Sequence, residues 1–256
     1  MSWDRQITIK TPQELEIMRV AGRINAEALA AARAIIRPGV TTADMNAAAE
    51  EVMKKYGVYS PFKHYPGPYP YPASTCISIN DELVHGIPGK RKLKEGDIVS
   101  MDCGVVYEGY VGDAAFTAPV GEVSETARKL MAVTEKCLEI GISKMIENNR
   151  VGDVSSAIQQ YAEANGLYVV REYTGHGVGR RMHEGPQVPN YGVAGRGIVL
   201  KNGMTIALEP MLLVGTARTR VLPDEWTVSS ADGSLTAHFE HTVAITAQGP
   251  VILTAL

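Results

Sequence analysis

Only three cysteines, Cys76, Cys103 and Cys137, occur in 256 residues, an odd and widely spaced set with no CxxC pair. That excludes a cysteine-zinc framework, argues against a disulfide scaffold and suits a reducing, cytoplasmic compartment. No run approaches the roughly 20 apolar residues of a membrane-spanning helix, and the opening "MSWDRQITIK" lacks the apolar core of a secretory signal. A dominant charge is missing as well. With 25 Lys and Arg against 28 Asp and Glu, the net charge is -3, which gives no reason to expect nucleic acid or an anionic membrane as a partner. Two catalytic signatures are absent: there is no GxSxG elbow of a serine hydrolase, and in "GHGVGR" Arg180 stands where GxGxxG requires its third glycine. What remains has 45% hydrophobic and 21% charged residues, proportions of an ordinary globular chain long enough to bury one substantial core.

The pattern along the chain repeats. Thr11 followed by Pro12 and Glu14 reads as a capped helix start, and Ile17, Val20, Ile24, Leu29 and Ile35 continue at helical spacing until "RPGV". A second helix over about 43–56 stops at Gly57. Later, a helix over about 124–147, the turn "NNRVGD" and a helix over about 154–165 stopped by Gly166 give the same order again. Each pair leads to a glycine-rich, histidine-bearing stretch and a Lys-x-Gly turn before an apolar run: "KEGDIVSMD" (94–102) matches "KNGMTIALE" (201–209), with an acid at the same offset. This predicts one catalytic domain over 1–256 built of two pseudo-symmetric halves, roughly 12–120 and 121–250.

Acids inside apolar strands require an explanation, because a buried carboxylate is costly unless paired or bound to a cation. Asp102 lies in "DIVSMDCGVVY" and Asp113 in "YVGDAAFTAPV", two strand-like runs joined as a hairpin. Period-two alternation and an even loop put both on one face, directly opposed or diagonal, where like charges repel. Glu209 ends "MTIALE" and Glu240 opens "FEHTVAIT", giving four such carboxylates, two per half. Several acids with one or two histidines favour an acid-bridged pair of divalent ions over a structural zinc. His176, flanked by Gly175 and Gly177 that let the backbone approach, is placed to join them.

The set "HGIPG", "MDCGVVYEGYVGDAAF", "TGHGVGRRMHEGP", "TIALEPM" and "FEHTVAIT", in this order and over essentially the whole chain, resembles the type I methionine aminopeptidases. The resemblance implies an α+β pita-bread fold: two pseudo-symmetric halves with a curved antiparallel sheet covered by helices. It implies two divalent metal ions, of Co, Mn, Fe or Zn, held by Asp102, Asp113, His176, Glu209 and Glu240. In that scheme Asp102 binds one ion, His176 and Glu209 bind the other, and Asp113 and Glu240 bridge. Water activated there attacks the peptide carbonyl, Glu209 moves protons, His183 contacts the substrate carbonyl and His85 the scissile amide. The methionine pocket falls to Tyr71, Cys76, Met182 and Trp226, since thioethers pack well on aromatic edges.

The sequence departs from the family at Met182, often an aromatic there, and at Pro68, where a second tyrosine is usual, so the pocket contacts from 64–72 are not fixed by the resemblance. The implied partners are N-termini of nascent polypeptides. The ribosome is a candidate contact for residues 1–10, and a monomer is the family default. Two other readings stay open. An Xaa-Pro aminopeptidase of the same fold usually carries an extra N-terminal domain, for which the residues before Thr11 leave no room; a non-catalytic scaffold of this fold typically loses ligands, and here the set is complete. The short stretch from 184 to 208 also leaves no place for the insertion of the type II methionine enzymes.

Overall fold

The computed structural model describes residues 6–256; the part of the expected 1–10 docking segment that falls on residues 1–5 lies outside them. Helix α1 (Pro12–Ala34) begins at its capping box: the Glu14 amide donates to Thr11 Oγ1 at 3.2 Å and the Thr11 amide to Glu14 Oε2 at 2.9 Å. Its inward face carries small residues, Ala21, Gly22, Ala28 and Ala32, so the helix lies close on what it covers. Helix α2 (Thr42–Tyr56) repeats the device with Thr41 and Asp44 and ends at Gly57 with φ 66°, the left-handed cap that glycine adopts without strain.

Strands β1 (Thr75–Ile79), β2 (Glu82–Val84), β3 (Ile98–Tyr107) and β4 (Tyr110–Pro119) follow, then helices α3 (Glu125–Ser143) and α4 (Val151–Ala164). The second half of the chain supplies β5 (Tyr168–Val169), β6 (Thr174–Gly177), β7 (Glu184–Pro189), β8 (Thr205–Leu208), β9 (Met211–Leu213), β10 (Thr219–Val221), β11 (Val228–Ser230), β12 (Thr236–His238), β13 (Glu240–Thr246) and β14 (Gly249–Ile252).

Two helix boundaries differ from the sequence reading. Helix α3 ends at Ser143 rather than near 147, with Lys144 as its cap. Helix α4 starts at Val151 rather than 154, because Asp153 is not a loop residue: its Oδ2 accepts the Arg150 amide at 2.7 Å and closes the first turn.

The main sheet has eight strands in the order β1-β3-β4-β13-β8-β6-β7, with β14 on β13, and every pairing is antiparallel. Alternation divides it. Met101, Cys103, Val105, Ala114 and Phe116 point into the apolar core shared with the helices. Gly112 faces α1 so closely that a Cβ there would lie 2.7 Å from the Gly22 nitrogen. Asn25 of α1 reaches into the sheet, its Nδ2 donating to the Gly112 carbonyl at 3.0 Å and to that of Cys103. Among the described residues no helix is long and apolar enough to cross a membrane.

Register alone sets which residues share the other face. Asp102 pairs with Ala115, Ala115 with Glu240, and Asp113 lies two residues from Ala115. On the far side His176 pairs with Ala207, and Ala207 with Thr242, two residues from Glu240. Residues directly opposed across a ladder point the same way, so Asp102, Asp113, Glu240 and His176 converge, and Glu209, two after Ala207, follows them. The halves meet where β4 pairs with β13 over only two residue pairs, Glu240 with Ala115 and His241 with Ala114. Thr242 extends that short seam: its hydroxyl accepts the Asp113 amide at 3.0 Å and donates to the Asp113 carbonyl at 2.8 Å.

Candidate active site

The hairpin expectation holds in detail. The β3–β4 loop is Glu108-Gly109, both at positive φ (47° and 76°), a two-residue connection suited to strand twist. It sets Asp102 against Ala115 and Asp113 against Gly104, making the two aspartates diagonal neighbours. Glu209 is not within a strand as read from "MTIALE"; it is the residue after β8, just before Pro210. Glu240 opens β13 as expected.

Asp113, His176 and Glu240 are buried, and one ligand atom from each lies within 4.8 Å of the others. His176 Nε2 stands 3.7 Å from Asp113 Oδ2 and 3.6 Å from Glu209 Oε1, beyond hydrogen-bond reach of both. Its Nδ1 lies 2.9 Å from the Gly177 carbonyl. A carbonyl only accepts, so the proton of the neutral ring is on Nδ1 and Nε2 turns its lone pair toward the carboxylates. Burial holds this imidazole at a pKa of about 3, so it stays neutral.

Among the described residues Asp102 Oδ1 and Asp113 Oδ1 are buried with no hydrogen-bond partner, an expensive arrangement for an acid left to itself. Burial, reinforced by the neighbouring acids, pushes Asp102, Glu209 and Glu240 well above the carboxylate range, and burial raises Asp113 to about 7. Four acids and a nitrogen with two orphaned oxygens therefore fit divalent cations by donor type, oxygen-rich with one imidazole.

Beside this cluster is a cavity of about 160 Å³, lined by all eleven residues expected from the sequence: Tyr71, Cys76, His85, Asp102, Asp113, His176, Met182, His183, Glu209, Trp226 and Glu240. One end is polar and holds the acids. The other is apolar: Tyr71 is fully buried, Trp226 meets it edge-on at 5.1 Å between centroids, and Cys76, opposite Asp102 on β1, closes the wall. His85 lies over the cavity at φ 61°, a backbone conformation uncommon for a ring-bearing residue and costing roughly 1–3 kcal/mol.

The model of metallopeptidase family M24 matches residues 16–247. The chain belongs to that family. It is 49% identical over 250 residues to the methionine aminopeptidase of Clostridium perfringens, covering 98% of this chain and 99% of that one. The crystal structure of the methionine aminopeptidase from Thermotoga maritima superposes with a TM-score of 0.95 at 49% identity, over 98% of this chain and 100% of the other. The prolidase from Pyrococcus furiosus shares the fold at a TM-score of 0.77 and 26% identity, but this chain covers only 67% of it. The M24 member described here is thus similar over its full length to methionine aminopeptidases and shares their pita-bread fold.

The sequence reading of this M24 site missed three residues. Phe62 and Tyr65 also line the cavity. Tyr65 places its hydroxyl 2.7 Å from His183 Nδ1, a contact hidden in the proline-tyrosine run whose path could not be inferred; Pro68 in that run is exposed and does not line the cavity. His238 is buried, its Nε2 without a hydrogen-bond partner among the described residues, 3.7 Å from Glu209 Oε2 and 3.8 Å from Glu240 Oε2; its position two residues before Glu240 was the available signal. The glycine reading needs correction as well. A Cβ on Gly175 would lie 2.8 Å from the Ala207 carbonyl oxygen and one on Gly177 2.0 Å from that of Gly185, so these glycines serve close strand packing rather than access to the cluster.

Proposed function

We propose that this methionine aminopeptidase removes N-terminal methionine from proteins and peptides with a small second residue, using two divalent cations held by Asp102, Asp113, His176, Glu209 and Glu240. The observation that carries the reading is the convergence of five donors from five chain segments on one face, with two buried aspartate oxygens that have no hydrogen-bond partner among the described residues. These five side chains would hold the ions, the four carboxylates supplying oxygen donors and His176 a nitrogen. Cations there supply Lewis acidity and lower the pKa of bound water. Co, Mn, Fe and Zn all suit the donor set.

The contacts of the side chains support the remaining roles. Burial holds His183 at a pKa of about 4, hence neutral. Its Nδ1 lies 2.7 Å from the Tyr65 hydroxyl; in the tautomer in which that hydroxyl donates, the ring proton sits on Nε2 and can be given to the substrate carbonyl as negative charge develops there. His85, also neutral with a pKa lowered by burial to about 4, meets Trp226 edge-on and would contact the scissile amide. Glu209, whose carboxyl burial holds in the protonated range until charge is supplied, takes and returns the proton of the reaction. Tyr71, Cys76, Met182 and Trp226 receive the thioether. The protein acts as a single domain with an internal repeat, as a monomer in the cytoplasm, on chains emerging from the ribosome; the lack of disulfides and the recurrence of a helix pair before each set of main-sheet strands support that reading.

The test is a comparison of Met-Ala-Ser, a longer Met-Leu peptide and Ala-Pro-Ala with the cation-loaded enzyme. Release of methionine from the first, slower release from the second and no cleavage of the third are expected. Preferential cleavage of Ala-Pro-Ala would establish the Xaa-Pro specificity instead.

A further inference from the structure

The segment that carries Met182 and His183 has no ladder of its own. Strand β6 ends at Gly177, β7 opens at Glu184, and their pairing breaks register between His176 and Gly177; Val178 still bonds Thr205 and Gly179 still bonds Val111, leaving 180–183 as an excursion from the sheet. What grips the end of that excursion is the chain just ahead of α1. Lys10 Nζ lies 2.8 Å from Glu184 Oε2, with side chains only 4% and 2% exposed. The Thr8 hydroxyl bonds both partners. Glu184 Oε1 accepts the Arg181 amide at 3.2 Å, across the turn that holds Met182 and His183. The Gly185 amide donates to the Gln6 carbonyl at 3.1 Å and the Lys10 amide to the Gly203 carbonyl at 2.7 Å. The Lys10 stem packs on Gly179, where a Cβ would come within 2.6 Å of its Cε.

A buried ion pair is weak ground for a stability role, because desolvating two charges offsets much of their attraction. Its geometric effect is stronger. Glu184 is covalently next to His183 and is fixed from three directions, by Lys10, Thr8 and the Arg181 amide, so the backbone on the C-terminal side of the histidine has one position.

We infer that Thr8, Lys10 and Glu184 form a brace that positions His183 for turnover, making the segment before α1 a working part of the active site although it touches no substrate. The inference rests on the proposed role of His183. A positioning group outside the chemistry acts on kcat more than on KM, and loss of alignment by about 1 Å costs up to about 100-fold.

The experiment compares Lys10→Met and the milder Thr8→Val with the parent enzyme, in the wild-type and His183→Ala backgrounds, with Met-Ala-Ser as substrate. Lys10→Met is expected to lower kcat about 10- to 100-fold with KM nearly unchanged, and to have no further effect once His183 is alanine. Should Lys10→Met not fold, Thr8→Val is read in the same way with a smaller loss. An unchanged kcat in the folded variant, or the same fractional loss in both backgrounds, overturns the brace. A second readout does not depend on turnover: the His183 ring signals in an NMR spectrum of the protein loaded with diamagnetic Zn shift in the variant while those of His85 stay. If the parent enzyme fails to cleave Met-Ala-Ser, the functional reading falls, and the brace is still decided by whether those signals move.

Discussion

Removing the cations should make this protein's stability depend on pH in a particular direction. Burial raises the Asp113 carboxyl from 3.8 to about 7, and Asp102, Glu209 and Glu240 move the same way. A raised acid pKa means that the folded state holds its proton more tightly than the unfolded chain. For Asp113 the chelated protein is therefore penalised as pH climbs from about 4 through about 7, and the other three acids, raised well above their usual range, penalise it in the same direction. For Asp113 alone, 1.36 kcal/mol per pKa unit gives about 4 kcal/mol, and the other three acids add to it. At roughly 2–4 °C per kcal/mol for a chain of this size, the melting temperature falls by about 8–16 °C. Bound cations remove the penalty. The assay is thermal melting between pH 5 and pH 8 on chelated and Mn-loaded samples, taking the difference between the two so that other titrations cancel. The gap should widen as pH rises; two curves running parallel would refute the reasoning.

Two further outcomes follow from single side chains. His183→Ala should keep the fold and its cations while kcat falls by roughly 100-fold or more, as for a lost oxyanion donor, whereas Asp113→Ala should lose bound metal; equal metal content and equal rates in the two variants would contradict the roles assigned. Asn25→Ala withdraws the donor from the Gly112 and Cys103 carbonyls under α1 and should cost about 1–3 kcal/mol in urea unfolding, a figure that an unchanged midpoint would rule out.

Much of this site was legible in the sequence because strand periodicity is strict. Once Asp102 and Asp113 are read in a two-residue hairpin, their shared face follows, and the matched Lys-x-Gly turns carry the argument to Glu209. What was not legible depends on how the chain travels between elements. Tyr65 reaches His183 only because the run from His64 to Tyr71 folds back on itself, with the His64 amide on the Tyr71 carbonyl at 2.8 Å and the Tyr71 amide on the Tyr65 carbonyl at 3.0 Å; no local pattern encodes that. Lys10 reads as a polar residue ahead of a helix, and its burial is decided by Glu184 far along the chain. The start of α4 was misread because Asp153 fits a turn and a helical first turn equally well until the Arg150 amide is seen to bond it.

The account depends on positive charge lying among the five converging donors. Crystals of the protein prepared with excess Mn, measured for anomalous scattering, test this directly. Two peaks are expected, bracketed by Asp113 and Glu240, one shared with Asp102 and the other with His176 and Glu209. A map with no anomalous peak among these side chains at saturating Mn would contradict it.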